Sequence, residues 1–277
     1  LASQVGTVGH PSNQALSATN GTFTGKVGIG VTTANAKLSL PAQASGDSGV
    51  ARFAIESAVD SNDFTIAQYE DSNGTYTQIG QNVSLDGSGN TTVLDSGHKT
   101  ASIMFDGRSN GALVFQTGGT NTSTENMKID STGAVTKPNQ PAFLAVPASS
   151  QTNIPINGAT TIAFGTEIFD QNGDFASNTF TAPVTGKYQL QYTATYNSPD
   201  PATDYVEHLL ITSNRNYQIV LDPDGFDSSP LYHTFNICVL ADMDASDTAY
   251  IRVQMNNSGS SQMDISTSSY FSGYLVC

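Results

Sequence analysis

The chain closes on Ser269-Tyr270-Phe271-Ser272-Gly273-Tyr274-Leu275-Val276, an aromatic and aliphatic run that stops one residue before Cys277. It is the last of three strand-like runs, separated by loops, that begin at Tyr232. An apolar terminus of this kind is typical of a strand that closes a sheet instead of fraying. We therefore expect residues 270–276 to pair inside the last domain and to fix its architecture.

The composition of the chain predicts an all-β protein. Its 277 residues suffice for two ordinary domains, and 25 glycines, 11 prolines and repeated Asn-Gly pairs punctuate them. No stretch longer than a turn or two shows a helical period. Charged residues make up only 12%, against about a quarter in a typical soluble domain. A surface solvated by hydroxyls and amides is typical of extracellular or virion β proteins.

Charge and cysteine usage exclude several classes of partner and framework. The formal net charge is −14 and no basic stripe is present to neutralise phosphates, which counts against nucleic-acid binding. No apolar run approaches the length of a membrane span, so we expect no membrane insertion. Two cysteines cannot build a disulfide framework for this length. We expect Cys238 to be buried in its strand, with Cys277 either a free terminal thiol or an occasional cross-link.

Two closely spaced prolines, Pro138 and Pro141, mark the clearest domain boundary, because proline resists both a helix and a central strand. We place a linker and fibre or shaft segment at 1–46, a β-rich knob at 47–136 and a head domain at 137–277. Residues 141–277 hold 3 basic and 13 acidic side chains. They also predict about nine or ten strands at the spacing of a sandwich or jelly roll: 142–146, 161–169, 179–182, 188–196, 206–212, 217–221, 232–241, 250–255 and 270–276.

Five stretches of the head, in their order and spacing, resemble the globular head of the C1q/TNF-like family. They are Pro141-Ala142-Phe143, residues 168–175, Thr179-Phe-Thr-Ala-Pro-Val-Thr-Gly-Lys-Tyr188, residues 247–255 and Tyr270-Phe-Ser-Gly-Tyr-Leu275. Phe-x-Ala-Pro-x-x-Gly-x-Tyr and a terminal Phe-Ser-Gly-Tyr-Leu are signatures of that family. The resemblance implies a ten-stranded jelly roll that forms a tight trimer and binds ligands through its outer surface without catalysis. No collagen-like Gly-x-y tract precedes the head, which fits a viral shaft better than an animal complement protein.

Two short stretches resemble the linking modules of tailed-phage fibres. Met127-Lys-Ile-Asp-Ser-Thr-Gly-Ala-Val135 follows the pattern Met-(Arg/Lys)-Ile-Asp-Ser-x-Gly-x-Val, with an alternating strand before a turn and a second short strand. Val27-Gly-Ile-Gly-Val31 is similar to Val-Gly-Ile-Gly-Thr-Thr, although Val31 replaces the first threonine and Ala34-Asn35 the usual Ser-Pro. Glycine repeated on one strand face indicates close approach of another backbone. Three copies wound around one axis would supply that neighbouring backbone. The alternative is a glycine-rich edge strand in a monomer.

The residues between these stretches predict a small β-sandwich knob. Asn73-Gly74 and Asn110-Gly111 favour tight hairpin turns, which would join 64–69 to 75–79 and 101–105 to 112–116. Ile103 and Phe105 alternate against Leu113 and Phe115. We expect these apolar side chains to lie on the buried face of their strands.

Strand direction predicts where the head binds a ligand. If the shaft enters at Pro141 and successive strands reverse, loops 197–204, 222–231 and 256–266 share the tip, the end of the head far from the shaft. These loops carry the candidate receptor-binding residues Asp200, Asp204, Asp222, Asp224, Asp227 and Asp264. Asp222, Asp224 and Asp227 lie in a glycine-containing loop, which could hold Ca²⁺ or form a plain acidic turn.

Other polar residues predict structure instead of chemistry. Asp242, Asp244 and Asp247 would lie at the base as a turn, and His208 and His233 would be satisfied histidines within strands. Neither a Ser/His/Asp nor a Cys/His arrangement has a supporting motif. The chain has no tryptophan, a residue that sugar-degrading enzymes commonly use as a platform. We therefore expect no enzyme.

Together these features predict a homotrimeric virion tail-fibre or spike protein. Its head would bind a glycan or protein on the host-cell surface, and its N-terminal segment would attach to other virion tail or spike proteins. The alternatives are a purely structural virion fibre or decoration protein and a secreted C1q-like lectin. Glycosylation separates the lectin from the viral proteins, since six asparagines begin Asn-x-Ser/Thr sequons: Asn20, Asn73, Asn82, Asn90, Asn121 and Asn256.

Overall fold

The structure, a computed structural model, describes residues 27–28, 38–39, 53–108, 111–197, 201–225, 231–257 and 262–277. Its regular structure is almost entirely β, which confirms the predicted fold class. The helical structure among these residues is one 3₁₀ turn, Pro223–Gly225. None of the helical structure in the described ranges is long and apolar enough to cross a membrane.

The chain divides into two compact units, one of residues 1–113 and 117–123 and the other of residues 114–116 and 124–277. Whether the boundaries at 46 and 136 separate independently folding domains stays a prediction. Among the described residues, eleven strands precede the head: β1 (Val27–Gly28), β2 (Leu38–Ser39), β3 (Phe53–Ile55), β4 (Phe64–Asp71), β5 (Gly74–Gln81), β6 (Val83–Leu85), β7 (Thr91–Val93), β8 (Thr100–Asp106), β9 (Ala112–Gly118), β10 (Thr124–Asp130) and β11 (Val135–Thr136). The rest of the predicted glycine-rich strand beyond Val27 and Gly28 lies outside the described residues.

Strands β3, β4, β5 and β8 pair antiparallel, and we call them the knob sheet. The predicted hairpin of 64–69 and 75–79 is confirmed, but Asp71 pairs with Gly74, so its turn residues are Ser72 and Asn73, and Gly74, at a φ of 126°, begins β5. The β6–β7 hairpin covers one face of the sheet, where the Thr65 hydroxyl donates to the Val83 carbonyl. Between this hairpin and the sheet, the described residues form a core of four buried side chains: Ala67, Tyr69, Tyr76 and Leu85.

The prediction that Ile103 and Phe105 lie on the buried face is wrong. Their exposed fractions are 37% and 49%, because the β6–β7 hairpin packs on the opposite face of β8. That covered face carries the buried polar residues Thr65, Gln78, Thr100 and Ser102. The Gln78 amide donates to the hydroxyl of Thr91 at 2.9 Å, which ties the hairpin to the sheet. Hydrogen-bonded polar side chains therefore fill the covered face, and the apolar side chains that the alternation predicted to be buried lie on the other face.

The Met-Lys-Ile-Asp-Ser-x-Gly-x-Val stretch forms the predicted strand, turn and short strand. Ile129 of β10 pairs with Val135 of β11. Between them the Asp130 carboxylate accepts hydrogen bonds from the backbone N–H of Thr132 and of Ala134, and Gly133 adopts a φ of 86°. The hydrogen bond from the Thr132 hydroxyl and, to a smaller extent, these backbone bonds lower the pKa of Asp130. The aspartate and glycine of the motif thus build the turn.

In the described part of the head there are thirteen further strands: β12 (Ala142–Val146), β13 (Gln151–Ile154), β14 (Ala159–Thr161), β15 (Thr166–Asp170), β16 (Phe175–Ala176), β17 (Thr179–Thr181), β18 (Gly186–Asn197), β19 (Thr203–Thr212), β20 (Asn216–Leu221), β21 (Tyr232–Met243), β22 (Thr248–Asn257), β23 (Met263–Ile265) and β24 (Tyr270–Leu275). The predicted strand 161–169 is instead two strands, β14 and β15, because Ile162 and Phe164 turn into the core between them. The short strands β13, β16 and β23 were not predicted.

The head strands form two facing sheets around an aromatic core. One sheet has the order β13-β23-β18-β24-β12-β15 with β21 also paired to β18, and the other has β16-β17-β22-β19-β20 with β14 paired to β22. The closing strand β24 lies antiparallel beside β12, as predicted. Phe143 stacks on Phe175 and Phe180 with ring centroids 4.8 and 4.9 Å apart. Rings that stack at these distances stabilise the core beyond their burial alone.

Gly273 explains the glycine in the terminal Phe-Ser-Gly-Tyr-Leu stretch. A Cβ at this position would lie 2.6 Å from Cδ2 of Leu190 and 2.9 Å from Cε1 of Phe143. No larger residue fits between the sheet and these side chains without repacking. Cys238, by contrast, is exposed and not buried as predicted, because its strand position pairs with the outward-facing Gln191.

Candidate functional site

The strand registers bring the three predicted tip loops to one end of the head. Asn197 pairs with Tyr232 of β21 and with Asp264 of β23. Thr203 pairs with Asn257, and Val206 pairs with Leu221. At the opposite end, Ala142 pairs with Tyr274 beside Pro141. The ends of β18, β20 and β22 that lead into these loops therefore lie far from Pro141.

The predicted aspartates of this end have different environments. Asp204 and Asp224 are exposed, and Asp200 and Asp227 lie outside the described residues. The Asp222 carboxylate accepts the backbone N–H of Asp224 at 3.1 Å, so it caps the 3₁₀ turn. The Asp264 carboxylate accepts the backbone N–H of Asn153 at 2.9 Å, which ties β23 to β13. The Ca²⁺ site and the receptor-binding role both stay predictions.

The described ranges contain one group of side chains spaced for a metal ion, and the sequence did not reveal it. Asp60, Asp95 and His98 of the knob each offer a ligand atom, all within 4.8 Å of one another. His98 lies between the carboxylates, with Nε2 3.5 Å from Asp60 and Nδ1 3.4 Å from Asp95. Since the two ring nitrogens face different aspartates, the imidazole of His98 bridges two loops of the knob.

Asn82 positions the second of these loops. Its amide donates to the carbonyls of Asp95 and His98 at 2.8 and 2.9 Å, and its side-chain oxygen accepts the N–H of Asp95 at 2.7 Å. The residue is fully buried and has a φ of 58°, a conformation that asparagine tolerates better than most residues. Asn82 thus fixes the loop at Asp95 and His98 through its hydrogen bonds, and it is also the first residue of a sequon.

The aspartates at the base form a hydrogen-bonded turn, in the place that strand direction predicted. Arg215 contacts the Asp242 carboxylate at 2.9 Å. The Asp247 carboxylate accepts the backbone N–H of Asp244 at 2.8 Å and the amide of Asn214 at 3.0 Å. These bonds use the carboxylates to hold the turn in shape.

The outward side chains of β12, β18, β21 and β24 form a surface that we call the outer face. Apart from Lys187 and Asp242 at its base edge, it carries no charged residue: its members are Ala142, Leu144, Val146, Gln189, Gln191, Thr193, Thr195, Asn197, Tyr232, Thr234, Asn236, Cys238, Leu240, Tyr270, Ser272 and Tyr274. Tyr232, Leu240 and Tyr274 are 68%, 57% and 52% exposed. The other sheet presents charged Glu207 and Arg252 outward. On these four strands the outer face is therefore charged only at its base edge, and Asp264 of β23, which pairs with Asn197, lies beside its tip end.

Polar groups of the outer face hydrogen-bond to one another. The amide of Gln191 donates to the Tyr270 hydroxyl at 3.0 Å, and the amide of Asn236 donates to the Thr193 hydroxyl at 2.7 Å. Beside them a cleft of about 460 Å³ is lined by Leu144, Phe169, Tyr270 and Tyr274, among others. A surface that already satisfies its polar groups loses little when water is removed. The outer face is thus suited to burial against another protein surface.

One histidine lies in the core of the head. His208 is fully buried, its Nδ1 is 2.9 Å from the Tyr196 hydroxyl, and its ring stacks on Phe235 at 4.2 Å. Nε2 has no hydrogen-bond partner among the described residues, so the predicted satisfied histidine is only half satisfied. Burial, with a smaller contribution from the charge of His233, lowers the pKa of His208 to about 3. The ring therefore stays neutral inside the folded head.

Part of this chain is similar to known proteins. The sequence profile of the C1q domain matches residues 142–276. The globular domain of zebrafish complement 1qA is 16% identical over 50% of this chain and 98% of its own, with a TM-score of 0.38. Murine APRIL at pH 8.0 is 8% identical over 50% of this chain and 99% of its own, with a TM-score of 0.37. Among curated protein sequences, none matches this chain.

Domains of the C1q/TNF-like class are typically extracellular, typically lack enzymatic activity and typically form homotrimers that bind receptors or other ligands. The profile match ends one residue before Cys277 and includes the closing strand β24. The two facing sheets, the pairing of β24 with β12 and the aromatic core all lie inside the matched range. Residues 142–276 are therefore a C1q domain with the C1q/TNF-like jelly-roll fold.

Proposed function

We propose that this chain is a homotrimeric tail-fibre or spike protein of a bacterial virus, whose C1q domain binds a host-surface glycan or protein through its tip. The observation that carries the proposal is the uncharged outer face on a domain with 3 basic and 13 acidic side chains. Copies of so acidic a domain repel one another. The outer face is where they can pack with the least electrostatic cost.

Trimer formation removes large apolar groups from water. Tyr232, Leu240 and Tyr274 are each more than half exposed on the outer face. Because these side chains are already partly covered, burying the rest of each stabilises an interface by about 1–2 kcal/mol. Because the neighbouring amides and hydroxyls pair among themselves, little of that gain is lost to orphaned polar groups. A closed ring of three such faces leaves the tip loops free for a ligand.

The tip is the proposed ligand-binding surface. Asp204 and Asp224 are exposed there and Asp222 lies beside them. Three copies would gather these carboxylates at one end, and like charges at close range favour bound cations or a cationic ligand. We propose a receptor with basic groups, or one bridged by Ca²⁺ at Asp222, Asp224 and Asp227.

Two features support a virus over a secreted lectin of a cellular organism. The first is the β10–β11 module, which has the strand, turn and strand of the phage-fibre motif. The second is the sequon Asn82-Val83-Ser84, in which all three residues are buried. A glycan is bulky and needs a surface position, so modification at Asn82 would be incompatible with the folded knob. A protein made without glycosylation has no such conflict.

Binding of labelled full-length protein to a panel of intact bacteria tests the proposal. We expect at least one strain to bind it, and unlabelled protein to compete. The triple variant Asp222→Asn, Asp224→Asn, Asp227→Asn should bind at least tenfold more weakly. The matched control Glu167→Gln, Glu207→Gln, Asp244→Asn removes the same number of charges away from the tip and should bind like the unmodified protein. A Ca²⁺-dependent rise in melting temperature, lost in the tip variant alone, would identify the metal.

The outcomes separate the candidate functions. Equal binding by both triple variants would contradict the tip assignment. Binding to no strain, together with electron microscopy that places the chain along a virion fibre, would favour the purely structural alternative. Glycans found on the sequons of the protein from its natural source would favour the secreted lectin.

A further inference from the structure

The knob sheet leaves its more apolar face open in the described part of the chain. Cross-strand pairing sets Phe53, Ile66, Ile79 and Ile103 in one row. Ile55, Phe64 and Phe105 extend this open face along the neighbouring rows. Phe53, Ile55 and Phe105 are 47%, 60% and 49% exposed. An exposed apolar patch of contiguous side chains marks an interaction surface on a soluble protein.

The covered face of the knob sheet does not supply the apolar burial that the open face lacks. It contributes a core of four buried residues, and polar Thr65, Gln78, Thr100 and Ser102 occupy much of the space beside them. A unit with so little buried apolar surface is marginally stable, because conformational entropy opposes its folding. The large side chains that could stabilise it are those of the open face.

The open face suits another copy of itself. Among the paired outward positions of β3, β4, β5 and β8, the one charged residue is Glu70, beside the β4–β5 turn. Elsewhere two copies of a chain with a net charge of −14 repel. Around a three-fold axis the same face of every copy can point toward the axis, and an uncharged apolar sheet face can be buried there without bringing like charges together. The chain before the knob is a poorer cover, since 15 of residues 1–25 are Gly, Ser, Thr, Asn or Gln.

We infer that the open face of the knob sheet packs against the same face of two further copies, so that three knobs share one apolar core around a common axis. The inference rests on the proposed homotrimer and adds a second contact to it, separate from the outer face of the head. Sheets packed face to face lie about 10 Å apart. Equivalent side chains of two copies should therefore lie within reach of a short cross-linker.

Single cysteines in the full-length chain test this contact. In a Cys238→Ser, Cys277→Ser background, Ile103→Cys and Phe105→Cys place thiols on the open face. Ser88→Cys places one on the exposed tip of the β6–β7 hairpin, which covers the opposite face. A bis-maleimide with a reach of about 10 Å should join chains in pairs for the first two variants and leave Ser88→Cys as single chains.

Substitution by aspartate supplies an independent readout. Phe105→Asp should lower the melting midpoint of the knob by roughly 5 °C or more, because a charge would enter a shared core. Val59→Asp is the matched control, since Val59 is 92% exposed and lies outside the sheet. It should leave the midpoint unchanged. Equal midpoints for the two variants would mean that Phe105 faces water in the assembled protein.

Sedimentation of the unlabelled chain separates this inference from the proposal on which it rests. A trimer whose Ile103→Cys and Phe105→Cys variants give no chain pairs would overturn the knob contact alone. Residues 1–52 or a different protein would then cover the face. A monomer would overturn both the homotrimer and the knob contact.

Discussion

The knob sheet and the head distribute the same kinds of residue in opposite ways. The head buries its aromatic side chains between two sheets, as Phe143, Tyr192 and Phe271 show, and presents an uncharged face of paired polar groups. The knob sheet buries Gln78 and Ser102 and leaves Ile103 and Phe105 open. The head therefore has a core within one chain, whereas the knob has most of its potential core on its surface. Alternation identifies the residues that share a face, and only the neighbouring elements decide which face is covered.

Charged substitutions on the outer face should have the largest effect, because they would prevent the heads from associating and leave each head as an isolated domain. We expect the double variant Leu240→Asp, Tyr274→Asp to sediment as a folded monomer. Each substitution would bring carboxylates together in an interface without a compensating cation. Val220→Asp is the control, since Val220 is 52% exposed on the opposite sheet. A double variant that keeps the wild-type mass would contradict the outer-face interface.

Removing the Asn82 side chain should have the next largest effect and should act on the knob alone. Asn82→Ala loses three hydrogen bonds to the loop at Asp95 and His98 and strains a backbone φ of 58°. We expect a loss of about 3 kcal/mol in the stability of the knob. Asn82→Gly relieves the strain but not the lost bonds, so it should recover about 1 kcal/mol of that loss. Chemical denaturation, monitored with a probe specific to the knob, measures the stability lost by each variant. Identical losses for Asn82→Gly and Asn82→Ala would exclude a backbone contribution.

Filling the space at Gly273 should destabilise the head by about 1–3 kcal/mol, the usual range for overpacking. The new methyl group of Gly273→Ala would press on Leu190 and Phe143. Gly158→Ala is the matched control, because the nearest atom to its added Cβ is Cβ of Pro155 at 3.6 Å. Thermal melts of the two variants should differ by several degrees, and equal melts would show that the head core repacks freely.

The most gradual effect concerns the stability of the head in acid, to which the buried His208 contributes. The pKa of His208 is lowered from 6.5 to about 3 in the folded head. As pH falls below 6.5 the unfolded chain binds a proton that the folded head excludes. Stability is therefore lost between pH 6.5 and 3, at up to about 1.4 kcal/mol per pH unit. His208→Gln should flatten this part of the pH profile of unfolding, and an unchanged slope would contradict the buried neutral ring.

Much of the head could be predicted from its sequence because its signals are local. The alternation from Tyr188 to Tyr196 gives β18 its buried row, and the Phe-Ser-Gly-Tyr-Leu run gives the closing strand. The direction of each strand could also be predicted, since the chain reverses at every turn between strands. The position of Asp222 directly after β20 could therefore be predicted, although its role in binding stays a prediction, whereas Asp264 lies within β23, a strand that was not predicted.

What the sequence could not show depends on long-range packing. Nothing near Ile103 reveals that the β6–β7 hairpin covers the other side of its strand. The outward position of Cys238 depends on its pairing with Gln191, 47 residues earlier in the chain. The Asp60, Asp95 and His98 cluster forms because Asn82 holds one loop against another. Such contacts join segments whose sequences carry no sign of each other.

Sedimentation equilibrium of the purified full-length chain shows directly whether it forms a homotrimer. Homotrimerisation through the outer face predicts about three times 29.0 kDa at micromolar concentration. The trimer should persist at high salt, because apolar burial and not ion pairing would hold the uncharged face together. A stable, well-folded monomer of 29.0 kDa under the same conditions would contradict the account.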